Sequence, residues 1–302
     1  MADGTSGPDA AARPSYGTII VCGGGCYGGY YVRQLARARA AGAMAYRQLL
    51  VIDRDADCRV AQLVAAISAG DSALVRRHGW RLHRDDRAVD DAGADGNAAD
   101  PAYEGLPVSF VAAEWDLFLG HRFATAIAEA AERADADADA APDAVVPSPL
   151  MPNLLAGWVT SRVAVHRPRA TISRVPVASL PDTPWKRGGD DGSHYASFAT
   201  WMCPINCIEP PRCPETRGPR TWSMPIAVGA AADRAAAAGS AYDVIALFHT
   251  THRAFGVGMF DVADAVRVDR GIRAAAGRPA LRLLVASVSH CHGALAEVSA
   301  TG

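Results

Sequence analysis

The stretch "GTIIVCGGGCYGGYYVRQLARARA", residues 17–40, decides the fold. Residues 18–22 form a short β-branched apolar run, the pattern of a buried strand. Gly23, Gly25 and Gly28 follow as G-x-G-x-x-G. The spacing then turns helical, so that Tyr31, Leu35 and several alanines share one face. "YRQLLVIDRD" (46–55) is a second apolar run, and it reaches Asp53. The distance from Gly28 to Asp53 suits one crossover helix and a return strand. Strand, glycines, helix, strand and acid in this order form a dinucleotide-binding pattern. Gly23 permits a tight turn. Gly25 lets the backbone approach a pyrophosphate. Gly28 lets helix and strand pack closely. The helix N-terminus offers free N–H groups to phosphates, and Asp53 can accept from a ribose diol.

Over roughly residues 17–60 the chain resembles the NAD-binding domains of the Rossmann superfamily. "IIVCGGGCYGGYYVRQL" with "LLVIDRD" is also similar to the nucleotide-binding domains that regulate bacterial potassium uptake. The resemblance implies a Rossmann-like, doubly wound, mostly parallel α/β sheet and an NAD-class ligand. The acid at 53 favours NAD, because it would repel the extra phosphate of NADP. Arg54 beside it leaves NADP open. "VCGGGCYG" lacks the acid before the glycines that methyltransferases usually show.

The rest of the chain divides by composition. Residues 1–16 read as a disordered leader and 17–165 as the nucleotide-binding region. Residues 166–235, rich in Pro, Gly, Arg and Cys, read as an irregular metal-binding insertion. Residues 236–302 read as a C-terminal βαβ that completes the sheet. The acidic run 85–105 has no periodicity and reads as a surface loop. "DADADAAPDA" (135–144) reads as a solvated linker. "LPVSFVAAEW" (106–115) suggests a third strand, residues 116–134 an amphipathic helix, and 148–165 a buried helix.

The 302 residues carry a formal charge of −2. That balance gives no reason to expect nucleic acid or an anionic membrane as partner. No apolar run reaches the ~18 residues of a membrane span. The N-terminus lacks a secretory pattern, which points to the cytoplasm. Seven cysteines is an odd number, so metal binding or reactive thiols are expected before disulfides. Cys22, inside an apolar run, reads as a buried inert thiol.

"WMCPINCIEPPRCPETRGPR" (201–220) holds Cys203, Cys207 and Cys213, with prolines at 204, 210, 211 and 214 among and beside them. Prolines stiffen such a segment and keep it non-helical. Three thiolates held together need a cation and a fourth ligand, from Cys291, His290, His292, His249 or His252. Zinc is the first expectation. An iron–sulfur cluster is the second, although the spacing matches neither standard ferredoxin pattern. Metal-free redox thiols are the third. Together with "GGGCYG" and "GVGMF", this segment resembles a group of uncharacterised bacterial proteins that pair a Rossmann start with a cysteine motif. Arg217 and Arg220 read as solvated surface charge.

Two histidine clusters follow strand-like runs. "YDVIALF" (242–248) leads into "HTTH", and "LRLLVASVS" (281–289) leads into "HCHG". Ligands of open α/β sheets bind at the carboxyl ends of the strands. This places His249, His252, His290, Cys291 and His292 on one rim with the glycine turn. On an extended backbone His290 and His292 would share a side, with Cys291 opposite. His249 or His252 is then the candidate proton carrier. The expectation is an NAD(P)-dependent, metal-containing oxidoreductase acting on a small molecule. Its alternative is a nucleotide or redox sensor without turnover. No Tyr-x-x-x-Lys pair is present, since the only lysine, Lys186, has Asp182 four residues before it.

Overall fold

The structure is a computed structural model of the 302-residue chain. It describes residues 13–79, 100–132, 141–148, 154–199, 203 and 207–302. The expected acidic loop and the core of the acidic linker lie largely outside these residues, as does most of the N-terminal leader.

The glycine pattern forms the elements its spacing dictates. β1 (Ser15–Cys22) enters the turn, α1 (Cys26–Ala40) leaves it, and β2 (Ala45–Asp53) returns parallel to β1. α2 (Arg59–Ala69) and α3 (Ser72–His78) follow. β3 (Val108–Ala112) adds parallel to β2. α4 (Trp115–Glu132) crosses the sheet, and β4 (Ala144–Val146) pairs parallel with the far side of β1. The order β3-β2-β1-β4 puts a reversal of strand order between β1 and β4, directly after the glycine turn. Such reversals open a crevice beyond the strand ends.

α5 (Leu154–His166), β5 (Thr171–Val175), β6 (Trp185–Gly188), β7 (His194–Ser197), α6 (Met224–Ala237) and β8 (Val244–His249) come next. Then β9 (Thr251–Ala254) and β10 (Val257–Asp261) form a hairpin, followed by α7 (Val262–Ala275), β11 (Ala280–Val288) and β12 (His292–Thr301). β10 pairs antiparallel with β4, so the hairpin closes the first sheet as β3-β2-β1-β4-β10-β9. β8 and β11 pair parallel, but in a second sheet ordered β6-β7-β12-β11-β8. β5 joins that sheet beside β12.

The chain is therefore α/β, as expected, but it has two sheets. The C-terminal βαβ does not complete the first one. The open edge beyond β4 is taken by β10, which arrives antiparallel from a tight hairpin, and β8 and β11 build their own sheet. Residues 166–235 are likewise less irregular than expected. They supply β5, β6, β7 and α6. The acidic linker ends in β4, whose approach is fixed by Asp143 accepting the Thr18 N–H at 2.6 Å.

Alternation along the strands sorts the core into layers. Ile19 and Val21 join a core with Val32, Leu35 and Leu63 on one face of the first sheet. Ile20 and Cys22 join the central core, where α4, α5 and α7 lie between the two sheets. Leu281, Leu283 and Val285 of β11 close this core from the other side. Leu284, Ala286 and Val288 pack instead with Met224 and Val228 of α6. Asp269 of α7 ties the middle layer together. Its buried carboxylate accepts from Arg162 Nε at 2.7 Å and lies 2.8 Å from His166 Nε2 on α5.

Candidate functional site at the cleft between the sheets

Gly23 has φ +106°, a left-handed conformation that suits glycine. Its N–H donates to the Ile52 carbonyl at 2.8 Å, and Trp115 Nε1 donates to the same oxygen at 3.0 Å. A Cβ at Gly28 would lie 1.8 Å from the Gly23 carbonyl oxygen, so only glycine fits there. Gly25 caps α1, and a Cβ there would meet nothing within 4 Å. The space before the helix N-terminus is open, and its first turn holds no acidic side chain. Asp53 has a task the sequence does not show. Its Oδ2 accepts the Gly24 N–H at 2.6 Å and its Oδ1 accepts the Asp55 N–H at 3.0 Å, which braces the turn.

A cavity of about 270 Å³ opens beside this turn. One wall is apolar: Cys22, Tyr27, Tyr31, Trp115 and Phe260. The opposite wall carries Cys203, Cys207, Glu209, His252, Cys291 and His292. Residues of both sheets thus line the one cavity. The sequence expectation of one shared rim becomes two converging rims.

The polar wall comes from two distant segments. Residues 211–220 form a tight loop around buried Cys213. Cys213 N–H donates to the Gly218 carbonyl at 2.9 Å, and Arg220 N–H to the Pro211 carbonyl at 2.7 Å. The β11–β12 bend supplies the other segment. Ser289 Oγ accepts from the N–H groups of Cys291 and His292, at 3.3 and 3.2 Å. That bend overturns the extended-backbone expectation. Cys291 and His292 both line the cavity, while His290 is not among the lining residues. His290 contributes its backbone instead, donating to Glu209 Oε1 at 3.2 Å and accepting from Met224 N–H at 2.9 Å.

Cys203 lies within electrostatic reach of Cys207, Cys213 and Cys291, and Cys291 within reach of Cys207. Burial pushes the Cys203 thiol up to about 12, reinforced by Cys207, Cys291 and Cys213. Burial also raises Cys291, although the Trp222 indole N–H, 3.3 Å from its Sγ, opposes this. At Cys213 burial raises the thiol, but hydrogen bonds from Thr216, Glu215 and Arg220 outweigh it and the net shift is downward. Arg220, expected as surface charge, is half-buried beside Cys207, Cys213 and Glu209. Its Nε and Nη1 are buried without a hydrogen-bond partner among the described residues. Among the described residues no group of three or more His, Cys, Asp or Glu side chains is arranged to hold a metal ion.

The histidines divide. His292 Nδ1 lies 2.9 Å from Ser197 Oγ and Nε2 lies 3.2 Å from Cys203 Sγ. Burial, with help from Arg220, lowers its pKa to about 4, so the ring is neutral. His252 lines the cavity with Nδ1 3.8 Å from Glu209 Oε2, and burial lowers its pKa. A Cβ at Gly258 would lie 2.9 Å from the His252 ring, so glycine there makes room for it. His249 does not line the cavity, and its Nε2 is buried without a partner among the described residues. Sequence reasoning gave no role to Glu209, Ser197, Trp222 or Trp115. Only Glu209, inside the cysteine segment, had a signal in its position.

A protein-family model described as "Uncharacterized protein, C-terminal domain" (AF_1314_C) matches residues 155–300. The matched span carries the second sheet, the β9–β10 hairpin and the whole cysteine–histidine wall, and leaves out the glycine turn. No curated protein and no solved structure matches the chain.

Proposed function

We propose that the protein is an oxidoreductase. It holds an NAD-class nucleotide at the glycine turn and presents it to a redox centre on the cysteine–histidine wall. One observation carries this reading: a single cavity is lined by the turn side (Cys22, Tyr27) and by Cys203, Cys207, His252, Cys291 and His292. The open N-terminus of α1 offers its free N–H groups to phosphates. Asp53 keeps lone pairs for a ribose hydroxyl while it braces the turn. His252, the cavity histidine whose neutral form burial favours, is the candidate proton carrier. Seven free cysteines suit a reducing cytoplasmic setting.

The test is calorimetric titration with NAD and NADP, oxidised and reduced, of the wild type and of Gly25→Asp. The variant folds, because its side chain meets open space and an acidic N-cap favours the helix. It places a carboxylate where the phosphates would sit. The wild type is expected to bind one of the pair, and the variant at least about tenfold more weakly, ~1.4 kcal/mol. A wild type that binds neither removes this reading.

A sensor without turnover is the second reading. It is favoured by the burial that holds Cys203 and Cys291 as resting thiols. It predicts nucleotide binding with no consumption of a hydride acceptor.

A further inference from the structure

We propose that Cys203, Cys207, Cys213 and Cys291 ligate a polynuclear iron–sulfur cluster on the polar wall of the cavity. This names the redox centre of the proposed oxidoreductase. It stands independently of nucleotide binding, because its ligands lie outside the glycine turn.

The argument starts from what surrounds each sulfur. A thiol needs no strong donor, whereas a thiolate is an acceptor that does. The Trp222 indole N–H donates to Cys291 at 3.3 Å. Thr216, through N–H and hydroxyl, and Glu215, through N–H, donate to Cys213. The Arg220 guanidinium lies beside Cys207 and Cys213. His292 Nε2 is 3.2 Å from Cys203 Sγ and Nδ1 is 2.9 Å from Ser197 Oγ, so the tautomer with its hydrogen on Nε2 donates to Cys203. All four sulfurs therefore have a potential N–H or O–H donor beside them, the environment of ligating thiolates.

Four gathered thiolates need positive charge. Arg220 supplies one unit, and Glu209 nearby cancels much of it. The balance must come from metal. A single tetrahedral ion would draw its sulfurs to about 3.8 Å from one another, given bonds of ~2.3 Å. No group of three or more ligating side chains among the described residues is arranged to hold a single ion. Yet Cys203 interacts electrostatically with Cys207, Cys291 and Cys213, and Cys291 with Cys207. Sulfurs that share a neighbourhood but not one ion suit a cluster, in which each iron takes its own thiolate. Four S–H protons leave as four Fe–S bonds form, with equal amounts of ferrous and ferric iron and inorganic sulfide as co-reactants, so no electron is gained or lost in assembly. The buried N–H groups of Arg220 that lack a partner are then donors to cluster sulfur. Hydrogen bonds to the sulfurs set the potential of such centres.

The experiment is anaerobic purification of the full chain, then reconstitution with ferrous and ferric iron in equal amounts and sulfide. Iron, acid-labile sulfide and zinc are measured, with absorption and electron paramagnetic resonance before and after dithionite. The expected result is iron and sulfide in equal amounts and a broad visible absorption that bleaches on reduction. Cys213→Ser and Cys291→Ser should each lose most of the iron. Cys26→Ser should keep it, since Cys26 is exposed at the glycine turn and is not among the residues that line the cavity. Trp222→Phe keeps all four ligands, so iron content should hold while the reduction potential falls. Zinc without colour after reconstitution overturns the proposal, and so does a chain that takes up neither metal. Iron retained in both Cys213→Ser and Cys291→Ser also overturns it. Loss of nucleotide binding with an intact cluster would remove the nucleotide reading and leave this one standing.

Discussion

Asp53 reaches back from the end of β2 to the turn after β1, and its Oδ2 accepts the Gly24 N–H at 2.6 Å. The acid that the sequence assigns to a ribose is first a brace for the glycine turn. Asp53→Ala leaves the Gly24 and Asp55 N–H groups without this acceptor, which should cost about 1–3 kcal/mol. Chemical denaturation reads that cost directly. Asp53→Asn retains one acceptor oxygen and should cost less. A loss of nucleotide affinity in Asp53→Ala alone would thus mix two effects, and Gly25→Asp separates them.

The glycines of the turn should respond unequally. Gly28→Ala forces a Cβ to 1.8 Å from the Gly23 carbonyl oxygen, so backbone must move. An overpacking cost of about 2–3 kcal/mol is expected. Gly25→Ala enters open space at φ −79° and should stay within about 0.5 kcal/mol of the wild type. Equal losses at both positions would contradict the turn geometry.

Cys22 and Cys26 flank the same turn and should behave oppositely. Cys26 is exposed and should alkylate readily in the folded chain. Burial pushes Cys22 from its ordinary value near 9 to about 12, so its thiol stays neutral and unreactive. The unfolded chain ionises this thiol first as pH rises. Its contribution to stability is therefore full below pH 9 and is lost between pH 9 and about 12. The slope is ~1.4 kcal/mol per pH unit from this one group. Cys22→Ala should flatten that part of the alkaline stability curve, measured by urea midpoints at several pH values.

Asp269 joins α5 and α7 in the layer between the sheets. Asp269→Asn leaves Arg162 and His166 facing a neutral amide in a buried setting. A loss of about 3 kcal/mol is expected, because one partner of a buried ionic group is removed. Arg267→Ala breaks the exposed pair with Asp264 on the same helix and should cost under about 0.5 kcal/mol. Thermal unfolding of the two variants checks the contrast.

The sequence by itself determined the glycine-turn half of the molecule. β1, the glycine turn, α1 and β2 follow from local spacing, because apolar periodicity and glycine conformational freedom act over a few residues. The runs that became β3, α4, α5, β8 and β11 were legible for the same reason. Tertiary structure alone decided where those strands went. The alternating apolar faces of β8 and β11 would suit either sheet edge, and the antiparallel arrival of β10 at β4 settled the choice. The site divides along the same line. Cys203, Cys207, Cys213, Cys291 and His292 stood out as residue types at suggestive spacings. Their company did not: Trp222 meets Cys291 and Ser197 meets His292 across long sequence separations, and Arg220, near the cysteines in sequence, read as surface charge until the fold turned it inward. The bend at Ser289 reversed the side-chain directions an extended backbone would give, putting Cys291 and His292 into the cavity and His290 outside it. Side-chain direction at a turn is set by hydrogen bonds that a residue pattern does not encode.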